Sequence, residues 1–289
     1  MVVTHTTLTI GEHRPVKPRT VVFDLFGDHL RYADSGAGLG AVRLQALVEL
    51  LELFGVGEST TRVVLARMRR EGWFDSHRAG RQTVYALTSR SWALLDDGRT
   101  RIFERVDTAW DGAWRQVIYA VPEADRAERE TLRRTLAWHG FGPLAAATWV
   151  SPHDRLDDVA AALAGLTATR LDLLTSRARS RAADREMAAR CWDLVALGRD
   201  YAELVTELEA LPSGQTGAEA LRTQLQLLAR WRSFPFRDPE LPPELLPEGW
   251  PGTRAHELFV AAHDRLHGPA GEVVAEVLAR RGGTGVTRP

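Results

Sequence analysis

The chain has 289 residues, 44% of them hydrophobic, and a formal net charge of −1. That length supports two or three domains with ample core, and near-neutral charge argues against a coat that binds nucleic acid indiscriminately. A single cysteine, Cys191, excludes a disulfide framework and a cysteine-rich zinc site, and no apolar run reaches the length of a membrane span.

Residues 1–19 are polar, with Pro15 and Pro18 among Arg14, Lys17 and Arg19, and read as a flexible arm. They lack the basic-then-apolar order of a signal peptide, so a cytoplasmic protein is expected. Thr20 to Arg31 has helical spacing in Val22, Leu25, Phe26 and Leu30. Gly36, Gly38 and Gly40 imitate a phosphate-binding loop, but no strand precedes them, and a connector is expected. Ala41 to Phe54 reads as a helix with Leu44, Leu47, Val48, Leu51 and Phe54 on its buried stripe. Gly55 suits a left-handed cap, and Gly57 or Ser59 caps the next helix.

In that second helix Thr61, Val64, Leu65 and Met68 form one apolar stripe. Thr60, Val63, Arg67 and Arg70 lie on another face, with Arg62 and Arg69 on its flank. Gly72 stops the helix. Phe74–Arg78 and Gln82–Leu87 then form a hairpin turned at Ala79-Gly80. From Ser59 to Arg90 the cations are Arg62, Arg67, Arg69, Arg70, Arg78, Arg81 and Arg90, against only Glu71 and Asp75. Helix, turn, basic helix and basic hairpin are the order of a winged helix-turn-helix, with the second helix in the major groove of double-stranded DNA. The DNA-contacting set is Thr60, Arg62, Val63, Arg67, Arg70, Arg78 and Arg81.

Thr88 or Ser89 starts a further helix. From Trp110 the pattern changes. Strands are predicted at Trp114–Val121, Ala147–Ser151 and Thr169–Leu174, and helices at Arg126–Trp138 and Leu156–Leu166, with a turn at Gly140–Pro143. Strands alternating with helices over this length suggest a ferredoxin-like unit. Arg181–Leu211 and Ala218–Trp231 are helical, Phe234–Trp250 is proline-rich and extended or turned, and Thr253–Leu266 and Gly271–Arg280 are two closing helices. The expected fold class is α+β: an N-terminal arm (1–19), a winged helix-turn-helix (20–105), a ferredoxin-like middle domain (106–178) and a C-terminal helical effector and dimerisation domain (179–289).

Several long motifs in this order resemble the PaaX family of bacterial transcriptional regulators, named for the repressor of phenylacetic acid degradation. They are TVVFDLFGDHLR, RMRREGWF, Gly80-Arg81 with Tyr85-Ala86-Leu87-Thr88, WDGAWRQVIYAVPE, RRTLAWHGFGPLAAATWVSPHD and FRDPELPPELLPEGWPG. Gly57 stands where the family pattern carries a hydroxyl cap, which implies a weaker cap here. The resemblance implies a homodimeric repressor of a catabolic operon. It also implies a middle domain folded like the small CRISPR-associated nuclease, and release from the operator by an acyl-CoA such as phenylacetyl-CoA.

Two other classes compete: a metal-dependent nuclease, and a DNA-binding assembly protein that senses no small molecule. Nuclease chemistry needs a carboxylate at the end of the first middle strand. That strand ends Ala120-Val121-Pro122, with Glu123 a step beyond, so no enzyme is expected. His263 and His267 are four apart, the spacing of a zinc pair, with His256 further back. They lack the metalloprotease arrangement and read as surface histidines. No metal and no cofactor are expected. Cys191 beside Trp192 reads as a small buried residue. An effector pocket is expected in the middle or C-terminal domain or between them, where Arg133, Arg134, Arg230 and Arg232 accompany Trp138, Trp231 and Phe234 in sequence.

Overall fold

The computed structural model describes residues 17–32, 39–104, 109–166, 169–234 and 237–281. The chain forms two units. One combines residues up to Glu104 with Leu204–Ser233 and Arg254 onward, and the other combines Arg105–Glu203 with Phe234–Thr253.

The first unit opens with α1 (Pro18–Leu25), whose Pro18 occupies the first helical turn, where a missing N–H costs nothing. Helix α1 thus starts within the segment read as an arm. It runs into a π-helical turn, Phe26–Leu30, instead of continuing as α-helix to Arg31. Such turns re-aim side chains and gather at functional sites. Gly36 and Gly38 of the glycine-rich connector lie outside the described residues. Gly40 has φ +71°, and a Cβ there would come within 2.9 Å of the Trp92 ring.

Strand β1 (Ala41–Arg43) follows, then α2 (Leu44–Glu52) and α3 (Glu58–Arg70). The first turn of the helix expected from Ala41 is therefore a strand. β2 (Phe74–Ala79) and β3 (Gln82–Leu87) form an antiparallel hairpin in which Ala79 pairs with Gln82, so the turn is Gly80-Arg81, one residue later than expected. β1 pairs with β3, which gives a three-stranded sheet of order β1-β3-β2. α4 (Ser89–Phe103) is capped by the Thr88 hydroxyl, which accepts from the Ser91 N–H at 3.3 Å.

The core of this unit draws on both ends of the chain. Leu25, Phe26, Leu47, Leu51, Leu65, Met68 and Phe74 pack in one cluster with Leu221, Leu225, Val274 and Val277. The last four belong to α9 (Gly217–Trp231) and α10 (Gly252–Arg280). α10 is one helix where two were expected. Pro269 sits inside it, and an interior proline costs about 3 kcal/mol. The buried stripe Phe259, Leu266, Ala270, Val274 and Val277 spans the proline, and each large apolar side chain returns roughly 1.5–3 kcal/mol.

The second unit contains β4 (Trp114–Ala120), α5 (Arg126–Trp138), β5 (Gly142–Ala145), β6 (Thr148–Ser151), α6 (Leu156–Leu163) and β7 (Arg170–Ser176). Its antiparallel sheet has the order β5-β6-β4-β7, the ferredoxin-like arrangement. β5 was not foreseen, because its first two residues, Gly142 and Pro143, fall in the turn expected at Gly140–Pro143. Successive side chains alternate across the sheet. Val117, Tyr119 and Trp149 meet Leu132, Leu136, Val159 and Leu163 on one face. Trp114 and Val150 meet Ala188, Cys191, Leu241 and Leu245 on the other. That second face is covered by α7 (Arg181–Cys191) and the proline-rich segment, which holds a short 3-10 turn at Pro243–Leu245. α8 (Leu194–Glu209) completes the elements. Among the described residues no helix is long and apolar enough to cross a membrane.

Candidate nucleic-acid interface

α3 is 13 residues long, about 20 Å at the usual rise. Thr61, Leu65 and Met68 fix its inner face in the core. Gly55, at φ +74°, reverses the chain before it, and Val56 donates to the Leu51 carbonyl at 3.1 Å. Gly57 is the N-cap, and no side chain caps the helix. Gly72, at φ +81°, ends it and releases Trp73 and Phe74 into the hairpin.

Thr60, Arg62, Val63, Arg67 and Arg70 are all exposed on the outer side of α3, and Arg78 and Arg81 are exposed at the hairpin tip. Val63 is 68% exposed. A β-branched methyl pair held in water amid arginines suits contact with a thymine methyl. The end of α3 is tied to the hairpin, since Arg69 Nη1 donates to Ser76 Oγ at 3.2 Å.

Two of the arginines carry partners that the sequence reading did not identify. Arg62 bonds the Glu58 carboxylate at 2.6 and 2.9 Å, and Arg67 bonds Glu71 at 2.9 Å. Both are i,i+4 spacings, so the pairs were legible in principle. Glu71 also accepts from Arg19 and, at 3.1 Å, from Trp73 Nε1. Hydrogen bonds from Arg67 and then Arg19 hold its carboxyl below the usual range. Such exposed pairs are weak and screened by water and salt, so a DNA phosphate can displace the carboxylates. Among the described residues Arg70, Arg78 and Arg81 form no ion pair. Arg90 lies over the Trp73 ring, 4.4 Å from its centroid.

The residues considered for an effector do not gather in one place. Arg230 pairs with Glu207 at 3.3 Å, Arg232 pairs with the buried Asp24, and Trp231 stacks on Phe259 at 4.5 Å. All of these contacts lie within the first unit. Arg133 lines a cleft of about 700 Å³ in the second unit, with Tyr119, Ala120, Val121, Pro122, Arg129, Ala146 and Ala147. That cleft lies at the end of β4, where a nuclease would need a carboxylate, and its lining carries arginine instead. Cys191 is buried, and burial pushes its thiol up to about 11.

The histidines correct the expectation of a solvated face. His263 is 4% exposed. It lies among Asp28 and His29 of the π-helical turn, Gln224 of α9, and His267. The i,i+4 pair faces inward because the stripe of Phe259 and Leu266 on α10 is itself buried. Burial works to raise the Asp28 carboxyl, but hydrogen bonds from His263 and His267 and the adjacent imidazoles hold it well below the usual carboxylate range. Burial lowers His29, against the pull of Asp28 and Gln224.

Comparison with known proteins matches three consecutive parts of the chain. Residues 17–91 match a PaaX-like protein family, 107–188 the PaaX central Cas2-like domain, and 192–276 the PaaX-like C-terminal domain. The transcriptional repressor PaaX of Escherichia coli is 31% identical over 273 residues, spanning 91% of this chain and 84% of its own. An uncharacterized protein of Mycobacterium tuberculosis with a solved structure superimposes with a TM-score of 0.61 at 26% identity, covering 84% of this chain and 94% of its own. The chain belongs to the PaaX family.

Proposed function

We propose that this protein is a DNA-binding transcriptional repressor, not an enzyme. It reads its operator as a winged helix-turn-helix, with α3 in the major groove and the β2–β3 hairpin on adjacent phosphates. One observation carries the reading. Thr60, Arg62, Val63, Arg67, Arg70, Arg78 and Arg81 are all solvent-exposed along one helix and the hairpin that follows it, while Thr61, Leu65 and Met68 anchor that helix. The name of the Escherichia coli relative, a transcriptional repressor, supports the same reading.

We further propose a homodimer on a two-fold operator, since paired half-sites about one helical turn apart are how such domains gain specificity. The signal that releases it is an acyl-CoA thioester such as phenylacetyl-CoA. The cleft lined by Arg129 and Arg133 beside Tyr119 and Val121 suits a ligand that is anionic at one end and apolar at the other. The test is fluorescence anisotropy on the DNA flanking the protein's own gene. Operator affinity should fall about 5- to 150-fold with the thioester, and not with coenzyme A alone. If DNA binds and no acyl-CoA or free acid weakens it, the assembly-protein reading replaces the sensor. If no flanking DNA binds at low salt, the repressor reading fails.

A further inference from the structure

The cluster around Asp28 lies wholly within the first unit and joins both ends of the chain. Asp28, His263 and His267 each offer one ligand atom, and these atoms all lie within 4.8 Å of one another. His263 Nε2 is 2.9 Å from Asp28 Oδ2, and His267 Nδ1 is 3.5 Å from it. Ligand atoms about 2.0–2.1 Å from a tetrahedral zinc ion sit roughly 3.3 Å apart, which these separations bracket. The two histidines are four apart on α10, so one helix face presents both. We propose that Asp28, His263 and His267 bind a divalent transition-metal ion of the zinc type, which clamps the π-helical turn of the reader to the C-terminal helix.

Two further features point to a ligand. The first is His263 Nδ1, which is buried and has no hydrogen-bond partner. If His263 Nε2 donates to Asp28, Nδ1 is left as an acceptor with nothing to accept. If Nε2 instead coordinates a metal, Nδ1 carries the proton and faces the Asp264 carboxylate, 3.6 Å away. A ligating histidine whose other nitrogen is directed at a carboxylate is the usual metal-site arrangement.

The second is Gln224. Its amide nitrogen lies 2.6 Å from Asp28 Oδ2, 3.2 Å from His263 Nε2 and 3.2 Å from His267 Nδ1. An NH2 group has two hydrogens for these three atoms. Turning the amide over aims its carbonyl oxygen at the same point, as a fourth ligand, and its NH2 at His29 Nε2, now 2.7 Å from the oxygen. Amide orientation is assigned from the network around it, so a metal changes the assignment. The donor set, two imidazoles with one carboxylate, favours zinc over magnesium or calcium, which take oxygen ligands. Arg99 reaches only the other Asp28 oxygen, at 3.9 Å.

The test is titration calorimetry of Zn2+ alone into metal-stripped full-length protein. Wild type should bind one equivalent per chain. H267Q and H263Q should each lose at least about 10-fold in affinity, the lower end of what outer-layer changes cost metal sites. Excess Mg2+ should not compete. Bound Co2+ should show the visible absorption of a tetrahedral site without a thiolate band. H267Q carries the test even if H263Q fails to fold, because His267 is partly exposed. Absence of stoichiometric Zn2+ binding to wild type, or H267Q binding Zn2+ as tightly as wild type, overturns the site.

Discussion

Removing both arginines at the hairpin tip, R78A/R81A, separates DNA contact from fold stability. Both side chains are exposed and lie beyond the buried part of the hairpin. Among the described residues neither forms an ion pair. Stability should therefore change by no more than about 0.5 kcal/mol, the usual range for surface substitutions. Each phosphate contact adds about 0.9 to the slope of log affinity against log salt, so two contacts are worth about 1.8. Between roughly 50 and 200 mM salt, a fourfold rise, wild type should lose about 12-fold more affinity than the variant. Gel-shift titrations on one operator fragment at four salt concentrations, with urea unfolding of both proteins, measure the two quantities. Equal slopes would refute phosphate contact by the hairpin. A large loss of stability would refute the claim that these arginines serve only the exterior.

Other outcomes follow from the packing. L225A, at a side chain 1% exposed in the cluster shared with α1 and α3, should cost about 2–5 kcal/mol. It should also speed hydrogen exchange in α3, and unchanged exchange there would contradict a common core. G142A introduces a Cβ that meets the Trp192 ring at 2.6 Å and Cys191 Cβ at 2.8 Å. It should destabilise the second unit by about 1–3 kcal/mol in urea unfolding, and a neutral result would refute the close approach. His153 is held below the ordinary imidazole value by burial, in spite of its 3.0 Å bond to the Pro239 carbonyl. The unfolded chain therefore takes up this proton first. The His153 contribution is complete above the ordinary value, near 6.5, and is lost as pH falls from there toward the folded value. An NMR titration of the His153 ring with its midpoint at or above the ordinary value would contradict this.

What was legible in the sequence was local. Thr61, Leu65 and Met68 mark the inner face of α3 by spacing alone, and Gly55, Gly72 and Gly80 fall at the left-handed positions that bound it and the hairpin. The helix at Arg126–Trp138 begins and ends where its periodicity does. What escaped depends on distant partners. β1 is three residues whose strand state rests on β3, more than forty positions later. β5 is a strand only because β6 pairs with Gly142, Pro143 and Ala145. α10 crosses Pro269 because its apolar stripe is buried against residues near the N-terminus. The same distance hid the histidine cluster, since Asp28 and His263 stand 235 residues apart in the chain. On its own, the His263–His267 spacing is equally consistent with a solvated helix face.

The most direct test of the central claim is cleavage of operator DNA from a reagent fixed on α3. Cys191 is buried with its thiol pushed up to about 11, so V63C supplies the reactive cysteine for an iron–chelate nuclease. The account predicts major-groove cuts in two clusters whose centres are about 10 base pairs, or a multiple, apart. Absence of cuts from V63C while the protein remains bound, or cuts confined to the minor groove, would contradict it.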